Sequence, residues 1–444
     1  MNRRSFIKIG LAASGTLLAT NGLPLFALAE TDIFPVKGLE GLLTDPEFNS
    51  GTFYRGNDAC VEVAPDIFAA NIREMKKDIG QKVKLCIVMK SDAYAHGVEN
   101  LMAEALRAEP AYIGMTGNKD IRKAIRYMDK SETRTRILRI APATFYEAAE
   151  AALKNWPIEE LIGSLSQAKA LSRIATWVSE KRGEKQVIPV HVNINTGMGR
   201  MGFQRVEDIR KAISLPSLKL RGIMTHYANA YDPDLKHREE LTRKQLDIFD
   251  DVVAKLKPPK NVIIHTANSG ATLCFPWSRR NMVRIGGALY GDIPKEMNPD
   301  SRYQRVMTAF KSKVVWVMNK IPPNTPVGYE SVYHTPPDLE STLATVKVGY
   351  NNGLPSWAYK KGTQVLIRGQ KFPVVGKTSM NMVVVDVTKQ QSKDKISFED
   401  EALFFGRQGN QEISIEDIEQ TTSIPGCELT LMIGNTNPRI VVRK

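Results

Sequence analysis

The stretch Val83–Gly97, VKLCIVMKSDAYAHG, decides the fold. An apolar run, Val83–Met89, ends at Lys90, and a polar segment of small residues follows. A short run this rich in Val, Ile and Leu is typical of a strand buried on both faces. The sequence therefore predicts a lysine at the end of a buried strand.

Further apolar runs of the same kind follow along the chain. Amphipathic stretches such as Val98–Glu109, Gln167–Lys181 and Lys236–Lys255 lie between the runs and predict helices. Eight alternating strand and helix units close a TIM (β/α)8 barrel, which we expect over residues 64–295. The remaining seven runs are Ala111–Thr116, Arg136–Ala141, Leu161–Leu165, Val187–Ile194, Leu220–Tyr227, Asn261–Ala267 and Met282–Gly291.

The pattern of apolar residues and prolines changes after Gly291. Proline-rich connections separate short alternating runs, and few helical patterns remain, which predicts a mainly antiparallel β-domain over residues 296–444. The strand candidate Ala59–Val63, at the end of an N-terminal extension (residues 30–63), is expected to join that domain. The strands predicted within it are Val314–Val317, Thr342–Val348, Thr363–Ile367, Val374–Gly376 and Val383–Val387.

The first 29 residues have the pattern of an export signal. Asn2–Lys8, NRRSFIK, is a twin-arginine pattern, and Ala27–Ala29 forms a small-residue cleavage site after a modest apolar stretch. We therefore expect export in the folded state to the periplasm, with no membrane span in the mature chain. An uncleaved membrane anchor or a plain basic N-terminus are the alternatives.

The composition narrows the classes of partner. The chain has a formal net charge of +13 at pH 7, but its Lys and Arg residues are scattered among Asp and Glu, so nucleic-acid binding is not expected. An anionic substrate and an anionic cofactor account adequately for the excess of positive charge. None of the four cysteines has zinc-ligand spacing, so no metal site is expected.

The position of Lys90 suggests a chemical role. Active sites of barrels lie at the carboxyl ends of the strands, and a lysine beside an apolar strand loses its proton readily and can form a Schiff base. A solvated lysine capping a strand is the alternative from these residues alone.

Residues 86–97 resemble the lysine motif of the alanine racemase family. That family consists of pyridoxal 5′-phosphate (PLP)-dependent enzymes with a barrel followed by a β-domain, and it works as homodimers with shared sites. Further resembling segments follow in the same order over most of the chain, namely 191–202, 222–228, 267–269, 283–291, 328–329, 348–354 and 375–381.

The resemblance implies a two-base racemisation of amino acids. Lys90 would carry PLP and act as a base on one face of the substrate Cα. Tyr329 of the partner subunit would be the base on the opposite face.

The same resemblance implies the remaining contacts of cofactor and substrate. Arg284 would face the pyridine nitrogen of PLP, and His226 would orient Arg284. Ser269, Gly286 and Tyr94 would hold the phosphate. Two further residues complete the set: Arg200 would contact the phenolic oxygen of PLP and the substrate carboxylate, and the backbone N–H of Met380 of the partner subunit would contact the same carboxylate.

Departures from the family pattern resemble its exported broad-specificity branch. Asn193 replaces a lysine that is often carbamylated, Asn381 replaces an aspartate, and Cys427 stands where a tyrosine at the substrate entrance is common. Side chains such as those of lysine and arginine should therefore be accepted as well as alanine.

Two structural expectations accompany these departures. We expect a small anion such as chloride between Asn193 and Arg200, because a buried guanidinium needs a counter-charge. The resemblance to the exported branch also implies a Cys60–Cys86 disulfide, with two buried thiols as the alternative.

The same residues leave four rival functions open. A strict alanine racemase is one, and a PLP decarboxylase or aldolase on the same barrel is another. Decarboxylases of this fold generally place an acid at the pyridine nitrogen, which Arg284 argues against. A PLP carrier is disfavoured by the β-domain with Tyr329, and a periplasmic amino-acid-binding protein would lack bound PLP.

Overall fold

The structure is a computed structural model that describes residues 59–131, 133–390 and 395–444. The predicted signal peptide and most of the predicted N-terminal extension lie outside these residues. Within the described part of the chain, no helix is long and apolar enough to cross a membrane.

The first part of the described chain is the predicted barrel. Eight parallel strands pair in the order β9-β2-β3-β4-β5-β6-β7-β8 within the described residues. The ends of this sheet meet, because the backbone N–H of Asn281 donates to Ile264 O (2.9 Å) and that of Arg284 to Ala267 O (3.0 Å). The barrel strands are β2 Lys84–Val88, β3 Tyr112–Met115, β4 Arg136–Arg139, β5 Ile158–Ile162, β6 Ile188–Asn193, β7 Leu218–Met224, β8 Ile263–His265 and β9 Met282–Ile285.

Helices cover the outside of the barrel. In β2, Leu85 and Ile87 pack against this helical layer, whereas Cys86 and Val88 face the barrel interior. The alternation follows from the two-residue period of a strand. The helices are α1 Pro65–Ile79, α2 Val98–Arg107, α3 Asn118–Met128, α4 Phe145–Leu153, α5 Leu165–Arg182, α6 Val206–Ile213, α7 Leu235–Leu256 and α8 Ser269–Cys274.

One strand lies several residues from its predicted position. The sequence predicts Leu161–Leu165, but β5 ends at Ile162, and Ser164 caps the following helix by accepting from the backbone N–H of Gln167. The apolar pattern is broken by Glu159 and Glu160, which are nevertheless buried in the barrel. These two adjacent acidic residues interrupt the apolar pattern, so the sequence did not predict the start of the strand correctly.

The second part is a mainly antiparallel β-domain. Its main sheet has the order β18-β17-β14-β15-β16-β13-β10-β1-β19, and β1 is antiparallel to β10 and parallel to β19. The strand before the barrel therefore lies in this sheet. The strands are β1 Cys60–Val63, β10 Met307–Ile321, β11 Pro326–Val327, β12 Tyr333–His334, β13 Ser341–Val346, β14 Gln364–Ile367, β15 Gln370–Val375, β16 Val383–Asp386, β17 Glu401–Gln408, β18 Gln411–Ile413 and β19 Arg439–Val441.

Two helices and several short turns complete the described chain. The helices α9 Ile415–Thr422 and α10 Gly426–Thr436 pack against the β-domain sheet through Ile415, Ile418, Leu429 and Ile433. The sequence pattern did not reveal them. Short 3-10 turns are Pro276–Ser278, Gly287–Tyr290, Lys295–Met297, Tyr329–Ser331, Tyr350–Asn352 and Ala358–Lys361.

The predicted Cys60–Cys86 disulfide is wrong. The structure does not join these two cysteines. Cys86 directs its side chain into the barrel interior, where it packs with Tyr112 and Leu138, whereas Cys60 belongs to β1 of the other sheet. The facing of Cys86 within its strand, which the sequence alone does not fix, rules out the bridge.

Candidate active site

A cavity of about 560 Å³ opens at the carboxyl ends of the barrel strands. This is the size range of small-molecule and cofactor sites. The structure brings to it every barrel residue that the sequence predicts for the site. These residues are Lys90, Tyr94, Asn193, Arg200, His226, Ser269, Arg284 and Gly286.

Lys90 stands at the start of an unusual backbone turn. The five residues Ser91–Ala95 all have positive φ, between 53° and 63°. Such values are costly for residues other than glycine, so the surroundings must hold the turn in place. The small, fully buried side chains of Ala93 and Ala95 fit the turn, and the ring nitrogen Nδ1 of His96 lies 2.8 Å from the carbonyl oxygen of Tyr94.

Asp92 fastens this turn to both domains. Its carboxylate accepts from the backbone N–H of Val98 (3.0 Å) and pairs with Lys123 Nζ (3.0 Å) and with Arg439 of β19 (2.6 Å). Burial disfavours the charged carboxylate, but Val98 and the two cations outweigh it and lower the pKa of Asp92. The position of Lys90 is thereby linked to the β-domain.

The amino group of Lys90 is tuned toward its neutral form. Burial lowers the pKa of Lys90, and the charge of Arg200 lowers it further. The nitrogen Nζ lies 5.6 Å from the centroid of the Tyr94 ring. A lysine with a lowered pKa is a better nucleophile and a better proton acceptor near neutral pH.

Arg284 is buried and held almost entirely by neutral acceptors. Its guanidinium donates to the carbonyl oxygens of Thr225 (2.7 Å), His265 (3.1 Å) and Thr266 (3.1 Å), and lies 3.4 Å from Nδ1 of His226. Burial lowers the pKa of Arg284 to about 10, so it stays charged at neutral pH. Burial, with the charge of Arg284, lowers the pKa of His226 to about 3, which leaves a neutral imidazole able to accept from Arg284.

A polar chain that the sequence analysis missed extends from Arg284 into the barrel. Nδ1 of His265 lies 3.2 Å from Arg284, and its Nε2 lies 2.8 Å from His191. His191 in turn contacts the Glu159 carboxylate (2.8 Å), which also accepts from the Tyr112 hydroxyl (2.8 Å). A histidine or glutamate inside an otherwise apolar strand was the available signal for these residues.

Hydrogen-bond donors converge at the other end of the cavity. The Ser269 hydroxyl oxygen accepts from the backbone N–H groups of Gly286 (3.1 Å) and Ala288 (3.4 Å). A Cβ at Gly286 would lie 2.1 Å from the Tyr94 hydroxyl oxygen, so only glycine allows this approach. Hydroxyl and amide donors without a bonded carboxylate suit a phosphate group.

The surroundings of Arg200 differ from the expectation. We expected a buried guanidinium that needs a counter-charge, but Arg200 is exposed in the single chain, so that premise is wrong. Asn193 is buried, and its amide Nδ2 donates to Met201 O (2.9 Å) while its Oδ1 has no hydrogen-bond partner in the described chain. Asn193 is thus neutral and has one polar atom without a partner in the described chain, beside the cavity that Arg200 also lines.

The two site residues predicted from the β-domain lie elsewhere. Tyr329 is 66% exposed and Met380 is 54% exposed, and neither lines the cavity of its own chain. The segments that carry them adjoin on one face, because Glu330 pairs with Lys377 (2.5 Å) and Asn351 N donates to Met380 O (3.0 Å). The structure brings the β-domain motifs to each other but not to Lys90.

Cys427 also lies away from the main cavity. It is in the first turn of α10 and borders a smaller cavity behind Tyr94, together with His96 and Asp292. Burial raises the pKa of the Cys427 thiol, so this residue contributes a neutral side chain there.

Comparison with known proteins assigns this architecture. Residues 63–294 match the alanine racemase N-terminal domain, and residues 306–441 match the alanine racemase C-terminal domain. The chain belongs to the alanine racemase family. Alanine racemases depend on PLP, and the protein is accordingly an isomerase that acts on amino acids.

Several characterised racemases are similar over most of their length. A lysine racemase of Proteus mirabilis is 34% identical over 396 residues, covering 87% of this chain and 90% of the relative. A broad specificity amino-acid racemase of Aeromonas hydrophila is 36% identical over 406 residues, covering 89% and 93%. The solved alanine racemase of Clostridium difficile 630 has a TM-score of 0.74 at 27% identity, covering 87% and 96%.

The cavity fits the cofactor of the alanine racemases. Lys90 offers an amine of lowered pKa for the carbonyl carbon of PLP, Arg284 offers a donor for the ring nitrogen, and Ser269, Gly286 and Tyr94 offer a cradle for the phosphate. The Tyr94 hydroxyl can approach this cradle only because Gly286 lacks a Cβ.

Proposed function

We propose that this protein racemises a broad range of free amino acids by a two-base mechanism, with Lys90 and Tyr329 as the bases. The observation that carries the proposal is that Lys90, with its lowered pKa, shares one cavity with the fixed guanidinium of Arg284. PLP, when bound, supplies a carbonyl group that bonds the substrate amine and withdraws electrons from Cα.

The residues of this chain then perform the proton transfers. Lys90 Nζ removes or returns the Cα proton on one face. The hydroxyl of Tyr329 of the partner subunit does the same on the other face, because racemisation returns the proton from the side opposite to its removal. Arg284 keeps its own protons, because its pKa stays far above neutral pH.

The exposed face of the β-domain supports a homodimer with shared sites. Tyr329, Val332, Tyr350, Met380 and Met382 are all exposed large apolar residues on neighbouring segments. Such a patch is typical of a surface that contacts another chain. A second copy would cover this patch and deliver Tyr329 and Met380 to a cavity that lacks them.

The cavity wall supports broad specificity. Met198, Met201 and Met224 line it beside Ala141 and Pro142. Methionine side chains are flexible and adapt to ligands of different shape. The Aeromonas hydrophila and Proteus mirabilis relatives carry the names broad specificity amino-acid racemase and lysine racemase, which agrees with acceptance of lysine and arginine as well as alanine.

Chiral chromatography of L-amino acids incubated with the purified protein tests this proposal. D-alanine, D-lysine and D-arginine should all accumulate. Turnover of alanine alone would identify a strict alanine racemase, and release of amines and carbon dioxide would identify a decarboxylase.

We further propose twin-arginine export to the periplasm and a bound small anion. The export proposal rests on Arg3 and Arg4; replacing both with Lys should leave the protein in the cytosol, and secretion of that variant would contradict it. The anion proposal rests on the neutral Asn193 beside the guanidinium of Arg200. A bromide soak of crystals should show an anomalous peak there, and its absence would contradict the anion.

A further inference from the structure

Tyr231, in the loop that follows β7, reaches the phosphate end of the cavity. It lines the cavity, and its hydroxyl oxygen accepts the backbone N–H of Gly270 (3.1 Å). The sequence pattern gives it no role, because it lies in a loop with no strand or helix to fix its direction.

The loop is held against the start of α8 by close backbone contacts. Asn268 Nδ2 donates to Tyr227 O (3.3 Å). A Cβ at Gly270 would lie 2.6 Å from Ala230 O and 3.2 Å from the Tyr231 ring. Gly270 therefore permits an approach that no other residue would, and this approach brings the Tyr231 ring against Gly270.

The hydrogen bonds around Tyr231 leave its phenolic proton available to donate. The Ser269 oxygen accepts from Gly286 and Ala288, so both of its lone pairs are used and it does not accept the phenolic proton of Tyr231. The Tyr231 oxygen itself accepts from Gly270. The phenolic proton of Tyr231 is left to donate to a further group in the cavity.

We propose that the Tyr231 hydroxyl donates a hydrogen bond to the phosphate of PLP, alongside Ser269, Gly286 and Tyr94. This inference rests on the proposed PLP-dependent function. The donor is well suited to a phosphate dianion, because burial raises the pKa of Tyr231 to about 12 and the phenol stays protonated at neutral pH.

Ligand binding to the apoenzyme tests the inference without an activity measurement. We expect Tyr231→Phe to weaken PLP binding about 10-fold, since it deletes one hydrogen bond to a charged group. Binding of pyridoxal, which lacks the phosphate, should be unchanged. Both dissociation constants are measured by titration followed by absorbance and by quenching of tryptophan fluorescence.

Tyr227→Phe is the matched control. Tyr227 is buried in the same loop and does not line the cavity, so its variant should bind both ligands as the wild type does. An equal loss of PLP and pyridoxal affinity in Tyr231→Phe would overturn the inference, because the phosphate would not be the group contacted. Tighter PLP binding would also overturn it, since the hydroxyl would then be blocking the phosphate position.

The experiment separates the two proposals. Wild-type protein that takes up no PLP would overturn the proposed function and this inference together. Wild-type uptake of PLP with an unaltered Tyr231→Phe variant would overturn the inference alone.

Discussion

The barrel and the β-domain present their site residues in opposite ways. In the barrel, Lys90, Ser269 and Arg284 converge on one cavity, and hydrogen bonds from their own chain fix Ser269 and Arg284. In the β-domain, Tyr329 and Met380 stand exposed on a surface away from that cavity. On the proposed two-base mechanism, a single chain is therefore prepared to hold the cofactor, and the second base would come from another chain.

The largest expected effect comes from removing the central residue of the barrel half. Lys90→Ala should lose the visible absorbance of lysine-bound PLP and at least about 10⁴-fold in racemase activity, because the attachment point and one base disappear together. Absorbance and chiral chromatography measure the two losses. The control is Lys154→Ala, an exposed lysine directly after α4. A borohydride-reducible adduct that persists in Lys90→Ala would contradict the role of this lysine.

The second prediction concerns whether Lys90 and Tyr329 of one active site come from different chains. Lys90→Ala and Tyr329→Phe should each be nearly inactive as homodimers. After the two are unfolded, mixed and refolded, about half of the dimers are mixed, and each mixed dimer has one intact site. Activity should therefore return to about a quarter of the wild-type value. Each variant refolded alone serves as the control. No recovery from the mixture would show that both bases belong to one chain.

The third effect concerns the acid sensitivity of the barrel half. Burial lowers the pKa of His96 to about 4, against two weaker carbonyl contacts that raise it, and lowers that of His226 to about 3. Because both lie below the ordinary value of 6.5, the stability they confer is complete above pH 6.5 and is lost as the pH falls below it. Below pH 6.5 and above its own lowered pKa, each histidine should reduce the free energy of unfolding by about 1.4 kcal/mol for each unit by which the pH falls.

Urea unfolding between pH 7 and pH 5 measures this dependence. The free energy of unfolding should fall steadily as the pH falls. In His226→Gln, the slope of this free energy against pH should correspond to about one proton fewer taken up on unfolding. A free energy that does not change between these pH values would contradict the assignment of buried neutral histidines.

The smallest effect is expected from the contact that joins the two halves. Asp92→Asn keeps the shape of the side chain but loses the ion pairs with Lys123 and Arg439, and should destabilise the protein by about 2 kcal/mol. The turnover number should fall a few-fold more than PLP affinity, because the turn after Lys90 loosens. Glu150→Gln, which breaks an ion pair with Arg122 on the surface, should leave both unchanged. Equal effects of the two variants would show that Asp92 does not position Lys90.

The sequence predicted the barrel because its strands are apolar on both faces, and it placed Lys90 at the end of such a run. The role of Arg284 was predicted only from the resemblance to the alanine racemase family. The sequence misplaced β5 because Glu159 finds partners inside the barrel and Glu160 pairs with Arg139 beneath the outer helices, and no local pattern reveals either. The error at Cys86 has a different cause, since a strand shows its period in the sequence but not which phase faces inward.

Other features depend on where loops run. Tyr231 reaches the cavity only because Gly270 lets its loop pass close by, and Arg200 is exposed although it follows a buried strand. Side chains on loops have no period from which a direction can be inferred. The direction and exposure of such side chains are found from coordinates alone.

The pairing of Asp92 with Arg439 has a consequence for the order of events during synthesis. Arg439 lies 347 positions after Asp92, in the strand β19 that pairs with β1. A ribosome releases the whole barrel sequence before it reaches Arg439, so the barrel can close while the lysine turn still lacks its last anchor. We therefore expect the cofactor to bind tightly only when synthesis of the polypeptide is complete, because the last strand supplies Arg439.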